Sequence, residues 1–137
     1  MVKTHQLKIV SRNRLLLAIG LLAVIALGLA SRKYPLFPKM CGKYPGDALW
    51  SVMVYLGWAL WKPTTSPKRV DLYALFTSYL DEFSQLIQVP GLNAIRQTVW
   101  GHLILGTVFS GYDMLAYTIG ILIALILDTL LLSLSEK

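Results

Sequence analysis

Two carboxylates and an amide, Asp81, Glu82 and Gln85, lie in a segment that is otherwise apolar and as long as a membrane span. Ionisable side chains inside a transmembrane helix are costly unless they face a protein interior, a polar cavity or a partner. At helical spacing Ser78 and Gln88 fall on the same face as these three residues. The segment therefore predicts a polar face, with Glu82 near or just beyond the membrane midplane, that contacts protein or ligand.

Four further charged residues complete a candidate binding site. The guanidinium groups of Arg32 and Arg96 can donate to a phosphate or a carboxylate. The carboxylates of Asp47, Glu82 and Asp113 can accept from hydroxyl or amino groups. Asp47 and Asp113 also stand at the starts of predicted helices, where the helix dipole favours an acid, so a capping role stays open for both.

The composition is that of an integral membrane protein. The chain has 137 residues, of which 55% are hydrophobic and 15% charged, and its mean hydropathy is +0.58. Its net charge of +6 comes from basic residues between apolar segments, which positive-inside topology explains, so we predict no nucleic-acid partner. The single Cys41 excludes an intramolecular disulfide, and no Cys/His set has zinc spacing. We accordingly predict no metal and no cofactor.

Hydropathy and breaker residues predict one all-α domain over residues 1–137, a polytopic membrane protein with four transmembrane helices. The helices are expected at about 14–31, 47–62, 70–89 and 112–134. The segment between the third and fourth helices is too polar at its start, and too short beyond it, to span a bilayer. We expect a short interfacial or re-entrant helix there.

Lysine and arginine counts predict the orientation. Eight of these residues fall on the side of the two termini and five on the opposite side. The positive-inside rule then places both termini in the cytoplasm, in a multi-pass protein of the inner (plasma) membrane. The candidate site, from Asp47 to Asp113, falls in the extracytoplasmic half.

Two predictions concern residues outside the candidate site. Trp50, Trp58 and Trp61 lie near the ends of the second helix and are typical of an interfacial aromatic belt. Asp128, close to the far end of the last helix, is expected at the membrane interface.

The site residues carry a resemblance to VanZ-like membrane proteins. Glu82-x-x-Gln85, then Arg96, then Asp113-x-x-Ala116-Tyr117-x-x-Gly120 resembles the pattern of that family. The departure is Tyr117, where the family more often has asparagine. The resemblance implies that Gln85 and Tyr117 belong to the same site as Glu82, Arg96 and Asp113.

Four blocks resemble a second family, the uncharacterised domain-of-unknown-function 2809 family of small bacterial membrane proteins. They are Gly28-Leu29-Ala30-Ser31-Arg32-Lys33-Tyr34-Pro35, Gly46-Asp47-Ala48-Leu49-Trp50, Glu82-Phe83-Ser84-Gln85 and Asp113-Met114-Leu115-Ala116-Tyr117. They occur in order over nearly the whole chain. The resemblance implies a bacterial cell-envelope protein and assigns no reaction.

The residues leave three functions open. The first is binding of a lipid or lipid-linked sugar head group, in which no residue is catalytic. The second is a structural or assembly role, in which Arg96 pairs with Glu82 or Asp113 and fixes helix packing. The third is a membrane-embedded enzyme using Glu82 and Asp113 as acid and base on an amphiphile. A homo-oligomer is compatible with all three.

Overall fold

A computed structural model describes residues 11–34, 42, 44–106 and 109–135. These residues form six helices and no strand: α1 (Arg14–Lys33), α2 (Tyr44–Trp61), α3 (Pro67–Ser84), α4 (Pro90–Arg96), α5 (Val99–Leu105) and α6 (Gly111–Ser135). The all-α prediction is confirmed. The expected bounds of the first, second and last long helices agree with α1, α2 and α6 to within three residues.

The four long helices form a bundle in which α2 is central. It packs against α1, α3 and α6, and α6 also packs along α3. The core consists of Tyr55 and Ala59 of α2, small residues of α3, and Ile121 and Ala124 of α6. Small side chains at this centre allow the helix axes to approach closely.

The helices α2 and α6 approach each other closely at Gly120. A Cβ atom at this position would lie 2.3 Å from both the Ala48 carbonyl oxygen and the Ser51 Oγ. Only glycine fits this crossing, and it sets the distance between the two helices that carry Asp47 and Asp113.

The third helix ends earlier than the sequence predicts. Its helical hydrogen bonding stops at Ser84, and residues 85–87 form turns rather than continuing to residue 89. The expected single short helix is in fact two helices of seven residues each, α4 and α5. Thr98 separates them because its hydroxyl accepts from the Gly101 N–H and caps the start of α5.

Two helices, α1 over Arg14–Ser31 and α6 over Gly111–Leu134, are long and apolar enough to cross a membrane. The outward faces of the bundle expose large apolar side chains as well. Leu22 of α1, Phe76 and Leu80 of α3, and Leu127 and Leu131 of α6 are each more than half exposed. A continuous apolar exterior of this kind marks a surface that contacts lipid or protein.

Candidate functional site

Glu82 is the centre of a buried polar network at the end of the bundle where α3 finishes and α6 begins. Its side chain has no exposed surface. Oε1 accepts from the Ser110 backbone N–H at 2.7 Å, and Oε2 accepts from the Tyr117 hydroxyl at 2.9 Å and the Gln85 Nε2 at 3.3 Å. Both carboxylate oxygens therefore bind protein donors.

The bond to Ser110 joins two helix ends. Ser110 directly precedes α6, whose first backbone N–H groups have no acceptor within the helix. A carboxylate near a helix N-terminus is stabilised by the helix dipole. Glu82 therefore fixes the start of α6 against the last turn of α3.

Gln85 lies beside Gly106, which precedes the segment leading to α6. Gly106 has φ +67°, and a Cβ atom there would lie 2.5 Å from the Gln85 Nε2. The left-handed backbone favours glycine at this position. Gln85 is buried by this contact and donates to Glu82 from one turn along the chain.

Arg96 binds backbone carbonyls rather than a carboxylate. Its Nη1 donates to the Ile87 carbonyl at 2.7 Å and its Nη2 to the Ser84 carbonyl at 2.6 Å, while Asn93 Oδ1 accepts from Nη1 at 3.2 Å. Cations stabilise helix C-termini, where the last carbonyls have no partner within the helix. Among the described residues, Arg96 forms no ion pair with Glu82 or Asp113, the pairing on which the structural alternative depends, because the guanidinium binds the carbonyls at the end of α3 instead.

Three buried polar atoms of this region have no hydrogen-bond partner among the described residues: Arg96 Nε, Ser78 Oγ and Trp50 Nε1. Arg96 is 2% exposed, and Ser78, one turn before Glu82 on α3, has no exposed surface. A buried donor without a partner requires a water molecule or a ligand atom to satisfy it.

The remaining predicted residues gather around Tyr117. Asp113, in the first turn of α6, is buried, and Asp47, in the first turn of α2, is half-buried. Both act electrostatically on the Tyr117 hydroxyl, as does Glu82. The structure thus brings Asp47, Glu82, Asp113 and Tyr117 together, whereas the side chain of Arg32 lies outside its described part.

The polar face predicted for the third helix is narrower than expected. Ser78, Glu82 and Gln85 are buried, but Asp81 is half-buried and Gln88 is exposed. Gln88 leaves the face because the helix has already ended at Ser84.

Trp50, one of the three tryptophans of the predicted aromatic belt, contacts the candidate site. Its indole ring packs on Tyr117, with 5.4 Å between ring centroids. On its other side it lines an apolar cavity of about 240 Å³ between α1, α2 and α5. Trp58 is also engaged, because its Nε1 donates to the Thr77 hydroxyl, and only Trp61 is largely exposed, at 68%.

A second polar cluster, missed by the sequence analysis, lies at the opposite end of the bundle. Arg12 donates from Nε and Nη2 to the two carboxylate oxygens of Asp128, at 2.8 and 2.7 Å. Asp128 also accepts from the Tyr55 hydroxyl, and Arg12 donates to the carbonyls of Pro63 and Thr65. Asp128 is therefore held in an ion pair with Arg12, and its side chain is 11% exposed.

Among the described residues, no group of three or more His, Cys, Asp or Glu side chains has the geometry of a metal site. The Glu82 network can instead fix the ends of α3 and α6. Its half-buried edge at Asp47 can contact a polar ligand, which could also accept from the unsatisfied donors.

Comparison with known proteins assigns a family. Residues 36–121, well over half of the chain, match the family described as "Protein of unknown function (DUF2809)". The matched range contains α2 to α5, Glu82, Arg96, and the first turns of α6 through Tyr117. No solved structure matches the chain.

Proposed function

The chain belongs to this family of proteins of unknown function, and from that premise we propose that it is a multi-pass protein of the bacterial inner membrane that binds a lipid or lipid-linked head group. The head group binds at the extracytoplasmic edge of the Glu82 network, and the role is in the cell envelope. The VanZ-like pattern of the site residues is part of this proposal.

Four membrane-crossing helices are supported by the bundle geometry. The Arg12 cluster joins the start of α1, the turn between α2 and α3, and the last third of α6 at one end. The Glu82 network joins the end of α3 and the start of α6 at the other. At 18 residues each, α2 and α3 measure about 27 Å, close to the bilayer core of about 30 Å.

The network is a buried frame with a less buried edge at Asp47, and this gradation of burial carries the proposal. Glu82, Asp113 and Tyr117 are at most 5% exposed, and Asp47 at the edge is half-buried. The unsatisfied Arg96 Nε and Ser78 Oγ add hydrogen-bonding capacity that the described residues do not use. A head group offers the donors and acceptors that such an edge needs.

An enzyme is less well supported than a binding protein. A general acid or base must reach the substrate proton directly or through one water molecule. Both oxygens of Glu82 instead accept from Ser110, Tyr117 and Gln85. Glu82 therefore acts as part of the frame.

Native mass spectrometry with lipidomics of the purified protein tests head-group binding. We expect Asp47→Asn to fold normally, because asparagine also suits a helix start, and to lose about tenfold in retention of a specific lipid. Asp81→Asn on α3 is the matched control and should keep the wild-type profile. If Asp47→Asn also keeps that profile, head-group binding at this edge is wrong, and the network has only the structural role of fixing the helix ends.

A further inference from the structure

The cavity beside Trp50 has walls that suit hydrocarbon. Val24 and Ile25 come from α1, Leu49 and Met53 from α2, and Leu103 and Ile104 from α5. None of the residues that line it is charged. Because burying a charge in such a space is costly and burying an alkyl chain is favourable, the cavity selects an apolar group.

Two glycines line the cavity at positions where close packing of the helices does not require glycine. Gly28 of α1 and Gly46 of α2 both line it. A Cβ atom at Gly28 would lie 4.0 Å from Leu49 Cβ, and one at Gly46 would lie 3.7 Å from Ser31 Oγ. Both are ordinary contacts, so a larger residue would fill the cavity without forcing the backbones of α1 and α2 apart.

The cavity adjoins the head-group site. Gly46 is the residue before Asp47, and Trp50 contacts the cavity and Tyr117 at once. On the α5 side, Trp100 and Ile104 are 68% and 54% exposed, so this wall borders the lipid-facing surface. A lipid can therefore enter sideways while its polar end stays at Asp47.

We propose that this cavity binds one hydrocarbon chain of the membrane lipid whose head group lies at Asp47. The volume of about 240 Å³ is below the range of about 300–1,000 Å³ typical of sites that enclose a whole ligand. It fits part of a single chain, with the rest of the lipid in the bilayer. The inference rests on the proposed function for the position of the head group, but the cavity is tested separately.

Photocrosslinking in nanodiscs tests the proposal, with a phospholipid carrying a diazirine in one acyl chain as the probe. We expect adducts on the wild type to concentrate on peptides containing Leu49, Met53 and Leu103. Gly28→Leu and Val24→Phe each fill the cavity and should lower those adducts about tenfold. Leu22→Phe is the matched control on the same helix, because Leu22 is 67% exposed, and should leave them unchanged.

The outcomes separate the two proposals. Loss of the adducts in both filled variants, with unfolding midpoints like that of the control, supports the chain site even if Asp47→Asn keeps its lipid. Adducts spread evenly over outward residues such as Leu80 and Leu127 would overturn it. Adducts unchanged in Gly28→Leu and Val24→Phe would overturn it as well.

Discussion

Glu82 stabilises the fold by accepting hydrogen bonds from the Ser110 N–H, the Tyr117 hydroxyl and the Gln85 amide. Among the described residues, these three donors have no other acceptor. In Glu82→Gln one acceptor oxygen becomes an NH₂ group, which faces either the Ser110 N–H or the Tyr117 hydroxyl. Hydrogen bonds to charged groups contribute about 1.5–3 kcal/mol each, so we expect a loss of about 2–4 kcal/mol in the free energy of unfolding. Tryptophan fluorescence during denaturation in lipid–detergent micelles measures it.

Asp81→Asn is the control for this experiment, since Asp81 is adjacent on α3 and its side chain is half-buried. Tyr117→Phe should cost less than Glu82→Gln, because it removes a single donor and leaves the other two bonds to Glu82 in place. Equal unfolding free energies for Glu82→Gln and Asp81→Asn would show that the network does not hold α3 and α6 together.

The roles of some individual residues can be predicted from the sequence, and those of others cannot. Glu82 and Gln85 can be found because an acid and an amide in an apolar segment must meet something polar. The acceptors of Arg96 cannot be predicted from the sequence, because they are backbone carbonyls and every residue has one. The pair Arg12 and Asp128 was missed because 116 positions separate the two residues, and each alone resembles an interfacial charge.

Among the helices, the crossing of α2 and α6 depends on Gly120. Gly120→Ala would place a methyl group 2.3 Å from the Ala48 carbonyl oxygen. The helices must separate, and overpacking of this kind costs about 1–3 kcal/mol. We expect a lower unfolding midpoint, measured under the same micelle conditions.

Gly57 on α2 is the matched control, because a Cβ atom there would meet nothing within 4 Å. Alanine is the better helix former by about 1 kcal/mol, so Gly57→Ala should be neutral or stabilising. If the two alanine variants behave alike, the close crossing at Gly120 is not what holds α2 against α6.

The ends of a helix can be predicted from the sequence where neighbouring residues determine them. They cannot be predicted where a contact with a distant residue determines them. The apolar runs of α1 and α6 indicate their own lengths, whereas α3 starts at Pro67, three residues before the predicted start at 70. The end of α3 at Ser84 depends on Arg96, which lies 12 residues further along and binds the Ser84 carbonyl. No spacing rule connects the two residues, so the helix was predicted five residues too long.

For the whole molecule, the proposed four-span topology separates two exposed loop positions. In a protein with Cys41→Ser, we expect Thr64→Cys to face the cytoplasm and Gln97→Cys the opposite side. A membrane-impermeant maleimide should then label Gln97→Cys in intact spheroplasts and Thr64→Cys only after lysis. If only α1 and α6 cross the membrane, both positions lie on one side and label together in intact spheroplasts.

The Arg12–Asp128 pair has a consequence for synthesis of the protein. Arg12 precedes α1 and Asp128 lies in α6, so their bond cannot form until the ribosome has added the 116 positions between them. Until then Arg12 has carbonyl acceptors at Pro63 and Thr65 but no counter-ion among the residues that bind it. Closure of this pair therefore follows the synthesis of α1 to α5, and a chain that ends before Asp128 leaves Arg12 without this counter-ion.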